Sequence, residues 1–474
     1  MNGLFKKFIE FAIGNGIVLI LGFLSTPIIS RLITPDELGR ASMVTTLTSL
    51  VVLIVIMGID QSYIRYYYDE EERNRGGLLG KSLFITLSLT LIVSIFVLIF
   101  YKPVSILAIG EISFGLVILM VIHTIFSIIG NFALINVRMR QKGKLYSLLN
   151  IVNKVSYIAF IALLFLIFND NYMTVVLATI LSNLIKTVWG IYSERDEWKK
   201  ITQINNARTT SKELTTYGIP FIFSMAIIWV FQSIDRLSIR IFSTYDELGL
   251  YTGAMTIVGL LNTFQAAFTT FWIPVAYEKY KTNPEDTDFF NNIYQIVSVG
   301  MLILSIGLIA TKDIIIALLG EKYNGAQYIF PFLVFMPIMY TISETTVLGI
   351  NFKKQTKYHG YIAAFSAISN IIGNLILVPK LGAKGAAIST GIAYIVFFLS
   401  RTYYGNKFYD IKPNVGKFML CTISVYILAA YSSVHKFDYI ILILSIISTS
   451  LTIFMYRKVI IDIINIILKR KRNL

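Results

Sequence analysis

Residues 31–39 read RLITPDELG, and residues 240–249 read RIFSTYDELG. Each follows an apolar stretch, about 11–32 in the first case and 216–238 in the second, and each leads into another. The shared DELG places Glu37 and Glu247 210 residues apart. A second pair of landmarks recurs at nearly the same spacing: Arg140-Gln141-Lys142-Gly143-Lys144 precedes one apolar stretch and Lys354-Gln355-Thr356-Lys357 precedes another. Four matching letters alone are weak. Two landmarks at nearly one offset predict a duplicated unit of six apolar stretches.

The rest of the chain has the same character. Of its 474 residues 55% are hydrophobic and 15% charged, with a mean hydropathy of +0.69, against about 25% charged in a typical soluble protein. So little charge cannot cover a water-soluble surface. With 33 Phe and 28 Tyr, the chain also has too much apolar surface to stay disordered. A helix needs about 20 apolar residues to cross the hydrocarbon layer, and about fourteen stretches between residues 11 and 456 qualify. The expected fold is therefore an all-α integral membrane protein of about 14 transmembrane helices. Two parallel six-helix lobes are followed by two extra C-terminal helices. The expected divisions are 1–192 for the N-lobe, 193–215 for a polar cytoplasmic linker, 216–404 for the C-lobe, and 405–474 for helices 13 and 14 with a basic cytoplasmic tail. The first stretch follows Lys6 and Lys7 but is longer than a signal-peptide core and lacks a small-residue cleavage site, so it reads as a retained helix.

Lysine and arginine total 42 against 27 acidic residues, a net charge of +15. In a soluble chain this would suggest nucleic acid; here most of the charge lies in short loops, which excludes that partner. Counted loop by loop, basic residues favour the side holding both termini by roughly three to one, which predicts cytoplasmic termini in a bacterial plasma membrane. After Tyr456 the sequence IIDIINIIL runs into Lys469–Arg472, the pattern of a basic segment lying on the inner membrane surface.

Several chemistries are excluded. Cys421 has no partner for a disulfide, and His123, His359 and His435 lie too far apart for a zinc site. No serine, cysteine or histidine constellation suggests covalent catalysis, so no enzyme activity is expected. Gly76-Gly-Leu-Leu-Gly80-Lys81-Ser82 is one residue short of a phosphate-binding loop and enters a membrane helix with no preceding strand. No ATP site or other cofactor is therefore expected. A proton or sodium gradient, the membrane potential, or the substrate's own gradient must supply energy. Asp286-Thr-Asp288 has the spacing of a glycosyltransferase metal motif, but its loop is too short for a nucleotide-sugar domain and reads as solvated charge.

Polar residues inside the spans carry the functional signal, because a charge at mid-bilayer costs about 2.5–3.5 kcal/mol on insertion scales. Ser147, Asn150, Asn153, Lys154 and Tyr157 form one helical stripe, and Ser182, Asn183, Lys186 and Trp189 another. His123, Ser127 and Asn131 occupy helix four; Ser366, Ser369, Asn370 and Asn374 occupy helix eleven. The functional expectation is a wet cleft between the lobes. Arg31, Lys154, Lys186, Arg236 and Arg240 would offer positive charge there, and Asn150, Asn370 and Asn374 hydrogen bonds. Asp60, Asp235 and Glu344 would couple an ion or pair with neighbouring cations. The plainer alternative is that all these groups pair with each other and hold helices together. Lys154 and Lys186 favour the cleft, since no acidic residue lies within a turn of either. His123 alone reads as a packed polar residue, and Gly382, Gly385, Ala386 and Ala387 as sites of close helix approach.

The strings ISRLITPDELG, GIDQSYIRYYYD, YGIPFIFSMAIIWVFQSIDRLSI, ELGLYTGAM and NIIGNLILVPKLGAKGAAIST resemble the polysaccharide-flippase branch of the MATE-like multidrug, oligosaccharidyl-lipid and polysaccharide exporter superfamily. The resemblance spans nearly the whole chain. It implies that a polyprenyl-pyrophosphate-linked oligosaccharide passes from the inner to the outer leaflet by alternating access, with membrane lipids and other polysaccharide-assembly proteins as partners. A drug/cation antiporter on the same fold would favour an acidic cavity, which the lysines oppose. A membrane-embedded polymerase or ligase would be expected to carry a large outer loop, and none exceeds roughly 15 residues.

Overall fold

The computed structural model describes residues 2–462 and 465, with side chains from residue 16 onward. The Lys6 and Lys7 side chains and the basic run Lys469–Arg472 lie outside the described residues. All regular structure among the described residues is helical, and the chain divides into two compact units, Met1–Arg236 and Leu237–Leu474.

The first unit contains α1 (Asn2–Leu32), α2 (Pro35–Ile56), α3 (Ile59–Tyr66), α4 (Arg75–Ile99), α5 (Tyr101–Ile109), α6 (Phe114–Met139), α7 (Gly143–Phe168), α8 (Tyr172–Ser193) and α9 (Arg195–Trp198), and most of α10 (Ser211–Phe242). The second contains α11 (Tyr245–Thr282), α12 (Thr287–Ala310), α13 (Lys312–Ala317), α14 (Phe330–Leu333), α15 (Phe335–Thr346), α16 (Leu348–Phe352), α17 (Lys357–Phe408), α18 (Val415–Ser432) and α19 (Tyr439–Met455).

Ten helices among the described residues are long and apolar enough to cross a membrane, or up to eleven if the bent pair Glu321–Tyr328 and Phe330–Thr346 is one span. The protein is thus a multi-pass membrane protein. Each of the fourteen expected stretches falls on helix, but four are broken, bent or run together. The second breaks at Met57 and Gly58, both left-handed (φ 48° and 69°). The tenth bends by 57° close to Pro331, whose ring cannot continue a helical ladder. The eleventh and twelfth run together as α17, interrupted only at Gly382 (φ 55°, ψ −134°). Tyr439–Met455 is shorter than a full span, and Gly16–Leu32 is the part of the 31-residue α1 whose side chains are described.

The repeated landmarks have matching local geometry. In the first unit Glu37 accepts a hydrogen bond from the backbone N–H of Tyr172, the first residue of α8, at 2.6 Å. In the second, Glu247 accepts one from the N–H of Ala383, where α17 resumes after Gly382, at 2.8 Å. Each DELG glutamate therefore neutralises the positive start of a helix some 135 residues further on. The second landmark pairs equally well. Gln141 and Lys354 are both left-handed (φ 56° and 55°). The N–H of Lys142 reaches Val137 O (3.2 Å), and that of Gln355 reaches Ile350 O (2.8 Å), the same helix-terminating hydrogen bond in both units.

The expected linker is not a free connector. Gly76, Gly77 and Gly80 lie against its backbone: a Cβ at Gly80 would stand 1.8 Å from Ile201 O, and one at Gly77 2.4 Å from Gln203 O. Lys81 donates to Thr209 O (2.6 Å) and Ala207 O (3.3 Å), while Glu70 accepts from the N–H groups of Thr209 (2.7 Å) and Arg208 (3.1 Å). At the far end Arg140 and Lys142 both pair with buried Glu194. Burial pushes the nearby Glu197 carboxyl upward against the pull of Arg140. The phosphate-loop look-alike is a docking seat for residues 197–209.

A Gly80→Val side chain would unseat that segment, and overpacking of this kind costs about 1–3 kcal/mol. Trypsin cleavage at Lys199 and Lys200 in detergent-solubilised protein is expected to accelerate about tenfold or more; an unchanged rate would contradict the docking.

Candidate functional site

Among the described residues, the polar groups of the first unit gather on α6, α7 and α8. Helix α7 packs closely on both α8 and α1, so its stripe faces protein rather than lipid. Asn153 Nδ2 donates to Asn183 Oδ1 (3.3 Å), and Asn183 Nδ2 lies 3.3 Å from His123 Nε2. This chain of amides and imidazole ties three helices together, and His123 is buried within it. It is thus a packed, hydrogen-bonded group, as its lone occurrence suggested.

Lys154 and Lys186 border this network. The Lys154 ammonium stands 5.3 Å from the Tyr157 ring centroid, and its stem approaches Gly22 of α1. Lys186 runs beside Gly130 of α6, where a Cβ would meet its Cε at 3.7 Å. Both are half-buried, and among the described residues neither has a carboxylate partner. Asn150, half-buried, lies one turn before Lys154 on α7.

The other candidates are dispersed. Arg31 is exposed in the last turn of α1. Asp60 is buried at the start of α3, with one oxygen accepting from Gln61 Nε2 (2.8 Å) and the other unpartnered. Asp235 is buried on α10. Arg236 is half-buried, with its Nε lacking a hydrogen-bond partner. Arg240 stacks 4.4 Å over Tyr245.

In the second unit the candidates are engaged in internal contacts. Glu344 forms a 2.7 Å ion pair with Arg401, which also donates to Ser343 Oγ (2.7 Å) and lies over the Tyr340 and Phe397 rings. Both partners are nearly fully buried. Arg401 lies inside α17. Asn370 and Asn374 are fully buried and bonded to each other. Ser389 from beyond the Gly382 break donates to Asn370 O (2.8 Å). Gly373 and Gly385 give the room: a Cβ at Gly385 would come within 2.5 Å of Leu377 O. These amides staple the two halves of α17.

Two polar features escaped the sequence reading. Asn262, Gln265 and Thr269 share a face of α11, with Gln265 Nε2 donating to Thr269 Oγ1 (3.0 Å); their three- and four-residue spacing was a readable signal. Trp229 of α10 donates to Ser49 Oγ of α2 (2.9 Å), a contact between helices that spacing cannot reveal.

The chain matches the family described as "Polysaccharide biosynthesis protein" over residues 4–280. It is 22% identical to the probable low-salt glycan biosynthesis flippase Agl15 of Haloferax volcanii over 54% of this chain and 54% of that protein, so the match spans about half that relative's length. It is also 22% identical to the capsular polysaccharide biosynthesis protein CapF of Staphylococcus aureus, over 85% of this chain and all of the relative. Among solved structures, the lipid II flippase MurJ in an inward closed conformation superposes with a TM-score of 0.70 at 15% identity, covering 95% of this chain and 100% of that one. An inward-facing MATE-family multidrug transporter gives 0.60 at 13% identity, covering 82% and 94%. The fold is that of these transporters.

If the Glu344–Arg401 pair holds helices together, Glu344→Gln leaves a buried guanidinium uncompensated and should cost about 3–5 kcal/mol. The double change Glu344→Leu with Arg401→Met should come within about 1 kcal/mol of wild type, read as thermal unfolding in detergent. A single variant as stable as wild type would contradict the structural role.

Proposed function

The chain belongs to the polysaccharide biosynthesis protein family, and from that premise we propose that it is a flippase for a polyprenyl-pyrophosphate-linked oligosaccharide, moved from the cytoplasmic to the outer leaflet. The observation that carries this reading is the pair of ammonium groups, Lys154 and Lys186, held within membrane helices with no carboxylate partner among the described residues. A cation in hydrocarbon needs water or an anion. A pyrophosphate entering a wet path would supply that anion, and the isoprenoid tail would stay in lipid. Asn150 and the Asn153–Asn183 amides would receive sugar hydroxyls. A cationic antiport substrate would be repelled by the same lysines.

In this reading the matched landmarks mark two duplicated lobes that rock about a central path, with Arg31, Arg236 and Arg240 adding positive potential along it. Both termini are cytoplasmic in this reading, which the distribution of basic loop residues supports. Asp60, a buried carboxylate with a free oxygen, is the better candidate for ion coupling than Glu344, whose charge Arg401 already neutralises.

Replacing Lys154 or Lys186 with alanine is expected to abolish surface polysaccharide while the protein still reaches the membrane. Lipid-linked oligosaccharide should then accumulate on the cytoplasmic leaflet. Normal polymer output from both variants would remove the cationic-path reading.

A further inference from the structure

Trp229 lies near the middle of α10 (Ser211–Phe242). That is an unusual depth, because tryptophans of membrane proteins collect at the water interfaces. Its indole N–H, which must find a partner when buried in an apolar medium, is held by Ser49 Oγ at 2.9 Å. This fixes the ring plane from a second helix. Its surroundings are not those of a lipid-facing ring. Ser49 and Gln232 are both exposed, and Trp229 itself is half-exposed. Polar groups left open at mid-span face water rather than hydrocarbon.

The same face of α10 carries Trp229, Gln232 and Arg236 at intervals of three and four residues. An aromatic face, an amide and a guanidinium thus follow one another over about 10 Å of helix. The guanidinium has an Nε with no hydrogen-bond partner. The order matches the chemistry of a glycan carried on a phosphate: an aliphatic sugar face to stack on the indole, hydroxyls for the amide, and an anion for the arginine.

We propose that Trp229, oriented by Ser49, is a stacking platform for a sugar ring of the cargo, so that this face of α10 distinguishes glycan-bearing carrier lipid from bare carrier. The inference rests on the flippase reading and extends it to the saccharide. Lys154 and Lys186 hold the pyrophosphate that both lipids share; Trp229 contacts only what one of them carries.

The test uses purified full-length protein and native mass spectrometry with two probes. One is undecaprenyl pyrophosphate; the other is the lipid-linked oligosaccharide extracted from cells depleted of this protein. Wild type is expected to prefer the oligosaccharide-bearing lipid. Trp229→Leu should lower that preference about tenfold without changing affinity for bare undecaprenyl pyrophosphate, and Trp229→Phe, which keeps a ring, should stay within about threefold of wild type. Should Trp229→Leu fail to fold, Ser49→Ala frees the indole without removing it and should weaken the preference severalfold. Equal wild-type affinity for the two lipids, or an unchanged preference in both Trp229→Leu and Ser49→Ala, would overturn the platform and leave the flippase reading intact. Failure of wild type to bind either lipid would overturn the flippase reading and the platform with it.

Discussion

An ammonium group in a membrane helix must be neutralised or hydrated, and this constraint governs the polar architecture of the chain. Insertion scales put the cost near 2.5–3.5 kcal/mol per charge. In the second unit Arg401 meets the constraint with a carboxylate, a serine and two aromatic rings. In the first, Lys154 has the Tyr157 ring beside it, and among the described residues neither Lys154 nor Lys186, both half-buried, has a carboxylate partner. Two units built from the same repeated landmarks therefore treat their intramembrane charge in opposite ways. One pairs its arginine with a carboxylate, and the other leaves its two lysines without one among the described residues.

The landmarks themselves serve the fold. Glu37 and Glu247 each accept from the first N–H of a helix about 135 residues downstream, and the left-handed Gln141 and Lys354 each terminate a helix with the same backbone bond. Such positions recur because the helix ends they satisfy recur. A helix end buried without a partner leaves polar groups that hydrocarbon cannot solvate. The glycines at 76, 77 and 80 follow the same logic at the membrane edge, admitting the backbone of residues 197–203 where any side chain would collide.

Much of this was legible from residue spacing. Apolar length located every helix later found to be long enough to span, and the DELG recurrence located corresponding points in the two units. The isolation of Lys154 and Lys186 could be read because it concerns neighbours along one helix. What spacing could not supply were partners from distant sequence. Arg401, the partner of Glu344, lies 57 residues from it. Asn370 and Asn374 looked like cavity amides because Ser389, which engages Asn370, lies beyond a glycine break. The reason for the glycines of the phosphate-loop look-alike lies in a segment more than a hundred residues away. The Trp229–Ser49 bond spans 180 residues.

The central claim, that these two lysines border a wet, anion-accepting path, is open to direct measurement. Cys421 is the chain's one cysteine and is buried; replacing it with serine gives a background in which Lys154→Cys and Lys186→Cys can be labelled singly. A membrane-impermeant anionic methanethiosulfonate reagent should modify both positions in membranes, and undecaprenyl pyrophosphate should slow that reaction severalfold. Cysteines at both positions that react only after denaturation would mean that the lysines sit in a dry core, and the account would be wrong.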